Sequence, residues 1–104
     1  MTITDPKLWN AIERFPLANL GGSLSFRRRL ARENAWSAYF ADKAIIEYKK
    51  FVYLTQVSKT QMTPSFQVDQ VWHLHMTYTQ NYWNTFCPIL DVPLHHGPTK
   101  GGGA

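Results

Sequence analysis

The chain has 104 residues, 44% of them hydrophobic and only 17% charged, so we expect one compact core and neither two domains nor a disordered chain. Its net charge is +4, and its single cysteine cannot form an internal disulfide. No apolar run approaches the roughly 20 residues that span a bilayer, and no secretory signal opens the sequence. The expectation is a cytoplasmic protein without a membrane segment.

The first predicted helix begins at Asp5-Pro6. Aspartate caps free N–H groups, and proline is tolerated at the first helical position. Apolar residues then recur at three- to four-residue spacing up to Phe15, and Pro16 ends the pattern. The pair Gly21-Gly22 predicts a turn.

A longer helical stretch follows, capped by Ser23 or Ser25 and running to about Gln56. A break around Asn34 would divide it, so one or two helices are expected here. Glu47 lies on the apolar stripe, where an unpaired carboxylate is costly. It is predicted either to form a salt bridge or lie at the edge of the stripe, or to face the histidines described below.

The last predicted helix starts near Ser65 and runs to about Phe86, because Pro88 removes a donor and clashes with the preceding turn. The proline- and glycine-rich remainder predicts an irregular C-terminal arm. The predicted fold is all-α, a small three- or four-helix antiparallel bundle forming one domain over residues 1–100. Residues 101–104 are expected to be a flexible Gly-rich tail.

Basic residues concentrate in one run of arginines on the second helix. Consecutive arginines on a helix point in several directions, so we interpret the run as a solvated face and do not expect nucleic-acid binding. The cluster consists of Arg27, Arg28, Arg29 and Arg32.

All four histidines and the only cysteine lie in the last third of the chain, within reach of Asp69. Imidazole, thiolate and carboxylate are the groups that bind zinc. His73 and His75 are two positions apart, about 200° around a helix, so they point to opposite sides. Asp69 and His73 are four apart and share a face, either as two ligands or as a carboxylate orienting an imidazole.

The remaining ligands would come from the arm. A site of Asp69, His73 and either His95 or His96, with Cys87 as a fourth ligand, is physically reachable. Three protein ligands with one open position suit hydrolytic chemistry, whereas four suit a structural metal.

A structure without metal explains the same residues differently. Trp72, Tyr82 and Trp83 at helical spacing are then core aromatics, and His75, on the side of Trp72 and Tyr82, is a hydrogen-bonded packing residue. Cys87 is then a small buried hydrophobe. In the metal-bound alternative, His75, Trp72, Tyr82 and Glu47 would support the ligands.

This region contains the segments Val68-Asp69, Val71-Trp72-His73-Leu74-His75 and Leu94-His95-His96-Gly97-Pro98. Together they resemble the signature of the glycine-rich domain-containing protein-like family. The resemblance covers roughly residues 25 to 100. It implies no reaction, because that family is largely uncharacterised, but it directs attention to the matching positions. The matching segments are Val68-Asp69, Val71-Trp72-His73-Leu74-His75, Tyr82-Trp83, Cys87 and Leu94-His95-His96-Gly97-Pro98, with Glu47-Tyr48-Lys49-Lys50-Phe51 upstream.

Three functions follow as expectations. The first is a small metal-binding helical domain, with Zn2+ as the metal. The second is a metal-free protein-interaction module in which the Trp-His-x-His helix docks the His95-His96 arm and other surfaces bind a protein partner. The third is a metal-dependent hydrolase-like enzyme, although the chain has no phosphate loop, nucleophile elbow or zincin motif.

Overall fold

The computed structural model describes residues 1–97, and every regular element in that range is helical, which confirms the all-α prediction. The predicted Gly-rich tail lies outside the described residues. The elements are α1 (Pro6–Glu13), α2 (Phe26–Asn34), α3 (Ala38–Val57), α4 (Phe66–Thr77), a π-helical turn (Asn81–Phe86) and a 3-10 turn (Cys87–Ile89).

Each α-helix begins at a side chain that satisfies a free backbone N–H group. Asp5 accepts from the amide of the third residue after it, and Ser25, Ser37 and Ser65 do the same for the three later helices. The second predicted stretch is divided, because Ala35 adopts a left-handed conformation with φ 55° and ends α2.

The core is organised around α3, which packs against α1, α2 and α4. Large aromatic side chains fill it, including the fully buried Tyr48, Tyr53 and Phe26. The hydroxyl of Tyr53 accepts a 2.8 Å hydrogen bond from the Asp5 amide, so the start of α1 is tied to α3. Among residues 1–97, no helix is both long and apolar enough to cross a bilayer.

The last predicted helix is interrupted, and the expectation of a continuous helix to Phe86 is wrong. α4 ends at Thr77, and Tyr78 leaves the helical region with ψ 68°. The Tyr78 ring packs against Phe26, 5.6 Å between centroids, and its hydroxyl accepts from the Arg29 guanidinium at 3.2 Å. These contacts with α2 outweigh the local helical preference.

The arm after Ile89 is irregular, as predicted, and folds back over the bundle. The Val92 amide donates to Gln56 Oε1 at 2.8 Å, and the Leu94 carbonyl accepts from the Tyr82 hydroxyl at 2.5 Å. These bonds bring the end of the described chain alongside α4.

Candidate metal centre

One face of α4 carries a carboxylate and an imidazole one turn apart. Asp69 Oδ2 lies 3.4 Å from His73 Nε2, in keeping with their i, i+4 spacing. The Asp69 side chain is 22% exposed and that of His73 is 51% exposed. The pair therefore lies at the protein surface, with the carboxylate the more shielded of the two.

The arm adds a second imidazole to this pair. His96 Nε2 lies 2.7 Å from Asp69 Oδ1 and 3.0 Å from His73 Nε2. One candidate ligand atom from each of the three residues thus lies within 4.8 Å of the other two. The His96 side chain is only 18% exposed, because its ring packs on Trp72 at 4.3 Å between centroids.

The second nitrogen of His96 determines what its Nε2 can do. His96 Nδ1 lies 3.0 Å from the Gly97 carbonyl oxygen, which can only accept, so this contact is a hydrogen bond in the tautomer that has its proton on Nδ1. A neutral ring then directs a lone pair from Nε2 at the Asp69 carboxylate. Two acceptors at 2.7 Å need a proton or a metal ion between them.

A chain of hydrogen bonds holds the arm in register with α4. Trp72 Nε1 donates to the Tyr82 hydroxyl at 2.9 Å, and that hydroxyl donates to the Leu94 carbonyl. Burial raises the pKa of Tyr82 well above its ordinary value, so the phenol stays protonated and able to donate. The carbonyl it holds lies two residues before His96.

The other sequence candidates lie apart from this group. His95 is exposed and packs its ring on Trp83, 4.9 Å between centroids. Trp83 is itself exposed, so the prediction that it is a core aromatic is wrong. Cys87 is buried in the core cluster, beside Tyr82. Glu47 is exposed and pairs with Lys50 at 3.2 Å, which is the salt bridge predicted as one of its two alternatives. The structure therefore gathers Asp69, His73 and His96 and leaves these three outside.

His75 points to the opposite side of α4 from His73, as the 200° separation predicts, and is fully buried. Its Nε2 donates to Asn81 Oδ1 at 2.7 Å, and its Nδ1 accepts from the Tyr48 hydroxyl at 2.8 Å. Burial lowers the pKa of His75 to about 4, partly offset by the bond to Asn81. A neutral, fully satisfied imidazole of this kind is a core residue.

The sequence did not reveal several hydrogen-bond partners of His75 and of the C-terminal arm. Tyr48 and Asn81 hold His75, the Leu94 carbonyl attaches the arm to Tyr82, and the Gly97 carbonyl contacts His96 Nδ1 within the arm. Six residues separate His75 from Asn81, about 240° around an uninterrupted helix, so their contact depends on the break after Thr77. Backbone carbonyls have no signature in a sequence, so periodicity could not have revealed the other two partners.

Comparison with known proteins finds similarity to two related plant proteins. The chain is 25% identical over 79 residues to glycine-rich domain-containing protein 1 of Arabidopsis thaliana and 24% identical over the same length to protein 2 of that plant. Each alignment covers 71% of this chain, and the chain spans about a tenth of the length of these curated relatives. These matches confirm the resemblance noted in the sequence.

No family model and no solved structure matches the chain. The three-residue group is therefore interpreted from its own geometry.

Proposed function

We propose that this chain is a small zinc-binding helical domain in which Asp69, His73 and His96 hold the metal. The observation that carries the proposal is the approach of His96 Nε2 to both Asp69 Oδ1 and His73 Nε2. Two imidazole nitrogens and a carboxylate oxygen are the donor set typical of zinc.

The spacing of the three atoms supports a tetrahedral ion. Ligands at about 2.0–2.1 Å from zinc lie roughly 3.3–3.4 Å from one another. In the structure His96 Nε2 lies 2.7 Å from Asp69 Oδ1 and 3.0 Å from His73 Nε2, and His73 Nε2 lies 3.4 Å from the other carboxylate oxygen, Asp69 Oδ2. A shift of roughly half an ångström in His96 is enough to admit the ion, and that residue lies on an irregular arm.

The surroundings of His96 also suit a metal ligand. Ligating histidines commonly donate their other ring N–H to a carbonyl, which orients the ring and fixes its tautomer. The Gly97 carbonyl does this for His96. The bound ion would link α4 to the arm and neutralise the carboxylate between the two imidazoles. Three protein ligands would leave a fourth position for water or a further donor.

The test is zinc titration of tag-free, chelator-treated protein by calorimetry, with elemental analysis of the purified protein. We expect one zinc per chain and a higher melting temperature on adding zinc, because a ligand that binds only the folded state stabilises it. Asp69→Asn, His73→Ala and His96→Ala are each expected to weaken zinc binding by more than about tenfold.

His95→Ala is the matched control. It removes an imidazole adjacent in sequence to His96 but stacked on Trp83, so zinc affinity is expected to stay within about twofold of the parent. If the control loses zinc as fully as His96→Ala does, the ligand set is wrong. If the parent protein binds no zinc and its melting temperature is unchanged, the zinc proposal fails.

A metal-free docking module is the second candidate, and a specific observation favours it. The Tyr82–Leu94 and Val92–Gln56 hydrogen bonds attach the arm without involving the three-residue group. In that case His96 Nε2 carries a proton and donates it to the Asp69 carboxylate directly. The same titration separates the candidates, because this one requires an unchanged melting temperature with zinc.

A further inference from the structure

A second candidate site lies away from the metal centre, in a groove between α2 and α3 that we call the arginine groove. Its cavity volume is about 510 Å3, within the range of small-ligand sites. Three arginines and no carboxylate-bearing residue are among its lining side chains, which include Arg27, Arg28, Ala31, Arg32, Ala35 and Trp36.

The guanidinium groups of the three arginines differ in their partners within the protein. Arg27 pairs with Asp42 at 3.1 Å, so its charge is largely met within the protein. Arg28 Nη1 donates to the Ser23 carbonyl at 3.3 Å, which steadies the guanidinium but leaves its charge uncompensated. Arg32 makes no ion pair with any residue of the described range 1–97. Two positive charges therefore remain for a ligand.

Their spacing suits one anionic group held between them. Arg28 and Arg32 are four residues apart on α2, so both guanidinium groups project from the same face. Planar guanidinium forks bind carboxylate and phosphate oxygens in pairs, with charge-assisted hydrogen bonds. The N-terminus of α3 opens at the same groove through Ala38 and adds a partial positive charge.

The rest of the groove is largely apolar. The small side chains of Ala31 and Ala35 leave space beside the arginines, and the half-buried Trp36 adds an aromatic surface. The Trp36 ring packs on Phe40 at 4.8 Å between centroids, so it offers one contact surface and not a platform for successive bases. An acidic segment with an apolar residue beside its anionic group complements this surface.

We propose that the arginine groove binds an acidic peptide segment of a protein partner. A carboxylate lies between Arg28 and Arg32, and a neighbouring apolar side chain contacts Trp36 and the alanines. Recognition of acidic motifs by clustered arginines is a recurring mode of peptide binding. The proposal is independent of zinc, because none of these residues belongs to the group of Asp69, His73 and His96.

The test uses fluorescence anisotropy with a labelled peptide of alternating glutamate and leucine, about eight residues long. The R28A/R32A double variant is expected to weaken binding by about tenfold or more. The matched control is K7A/K59A, which removes the same charge from exposed positions outside the groove and is expected to change affinity by less than about twofold.

A peptide of the same length with glutamine in place of glutamate is expected to bind at least about tenfold more weakly than the acidic peptide. The melting temperature of R28A/R32A is measured alongside, and because both arginines are exposed we expect it to match that of the parent. Three results would overturn the proposal: equal losses in the two double variants, no binding of the acidic peptide to the parent protein, or tighter groove-dependent binding of a short oligodeoxythymidine.

Discussion

The two faces of α4 carry histidines in opposite physical situations. His75 is fully buried, and both of its ring nitrogens have partners within the core. His73 is half exposed, and its Nε2 faces a carboxylate and a second imidazole. Burial makes the first a structural residue that stays neutral, whereas the second retains a nitrogen available to a ligand. Proximity along the chain therefore says little about shared function.

The largest expected effect is the difference in unfolding free energy between alanine substitutions of His75 and His73, which lie on opposite faces of α4. His75→Ala leaves the Tyr48 hydroxyl and the Asn81 amide without their partner and opens a cavity. We expect a loss of about 4 kcal/mol in the free energy of unfolding. In metal-free protein, His73→Ala removes a half-exposed side chain that contacts Asp69 and His96 at the surface, and it is expected to cost less than about 1 kcal/mol. Urea denaturation of both variants makes the measurement, and equal losses would contradict the assignment of His75 to the core.

A pH titration of stability sharpens the same contrast. Burial lowers the pKa of His75 from 6.5 in the unfolded chain to about 4 in the folded chain. Between these two pH values the unfolded chain therefore binds a proton at His75 and the folded chain does not. The contribution of His75 is fully present above pH 6.5 and is lost as the pH falls toward 4. The loss amounts to about 3 kcal/mol across that window.

The measurement is chemical denaturation at several pH values with chelator present, so that metal binding does not contribute. His75→Gln removes the titrating group and is expected to flatten the dependence between pH 6.5 and 4. A slope as steep as the parent's in that variant would assign the effect to other groups.

The smallest expected effect comes from the Tyr82 hydroxyl, which links Trp72 on α4 to Leu94 on the arm. Tyr82→Phe removes the hydroxyl that accepts from Trp72 Nε1 and donates to the Leu94 carbonyl. We expect a loss of about 1–2 kcal/mol in unfolding free energy. If zinc binds as proposed, affinity is expected to fall about tenfold, because groups that position ligands influence metal binding to that extent.

Calorimetry of the Tyr82→Phe variant with zinc, together with its urea midpoint, checks both numbers. Tyr53→Phe is the matched control, since its hydroxyl bonds the Asp5 amide far along the chain from the arm. An equal loss of zinc affinity in the control would show that general destabilisation, and not arm position, is responsible.

Local spacing was enough to predict much of this molecule. Asp5 marked the start of α1, and Ser25 and Ser65 were among the candidates for the starts of α2 and α4, whereas the cap of α3 at Ser37 was not predicted. The four-residue interval of Asp69 and His73 set them on one face. The two-residue interval of His73 and His75 placed these side chains on opposite sides. In each case the rule acts within one helix, where 3.6 residues per turn decides which side chains are neighbours.

Tertiary contacts decided the rest. Packing of Tyr78 on α2 ended α4 at Thr77 and let Asn81 reach His75, which a continuous helix forbids. The choice of His96 over His95 has no periodic signal, because the arm is irregular and its orientation follows from the Tyr82 bond and from Trp72. In a helix the fixed number of residues per turn sets the direction of each side chain, so the sequence predicts it. An irregular segment has no such repeat, and its conformation depends on the residues it packs against.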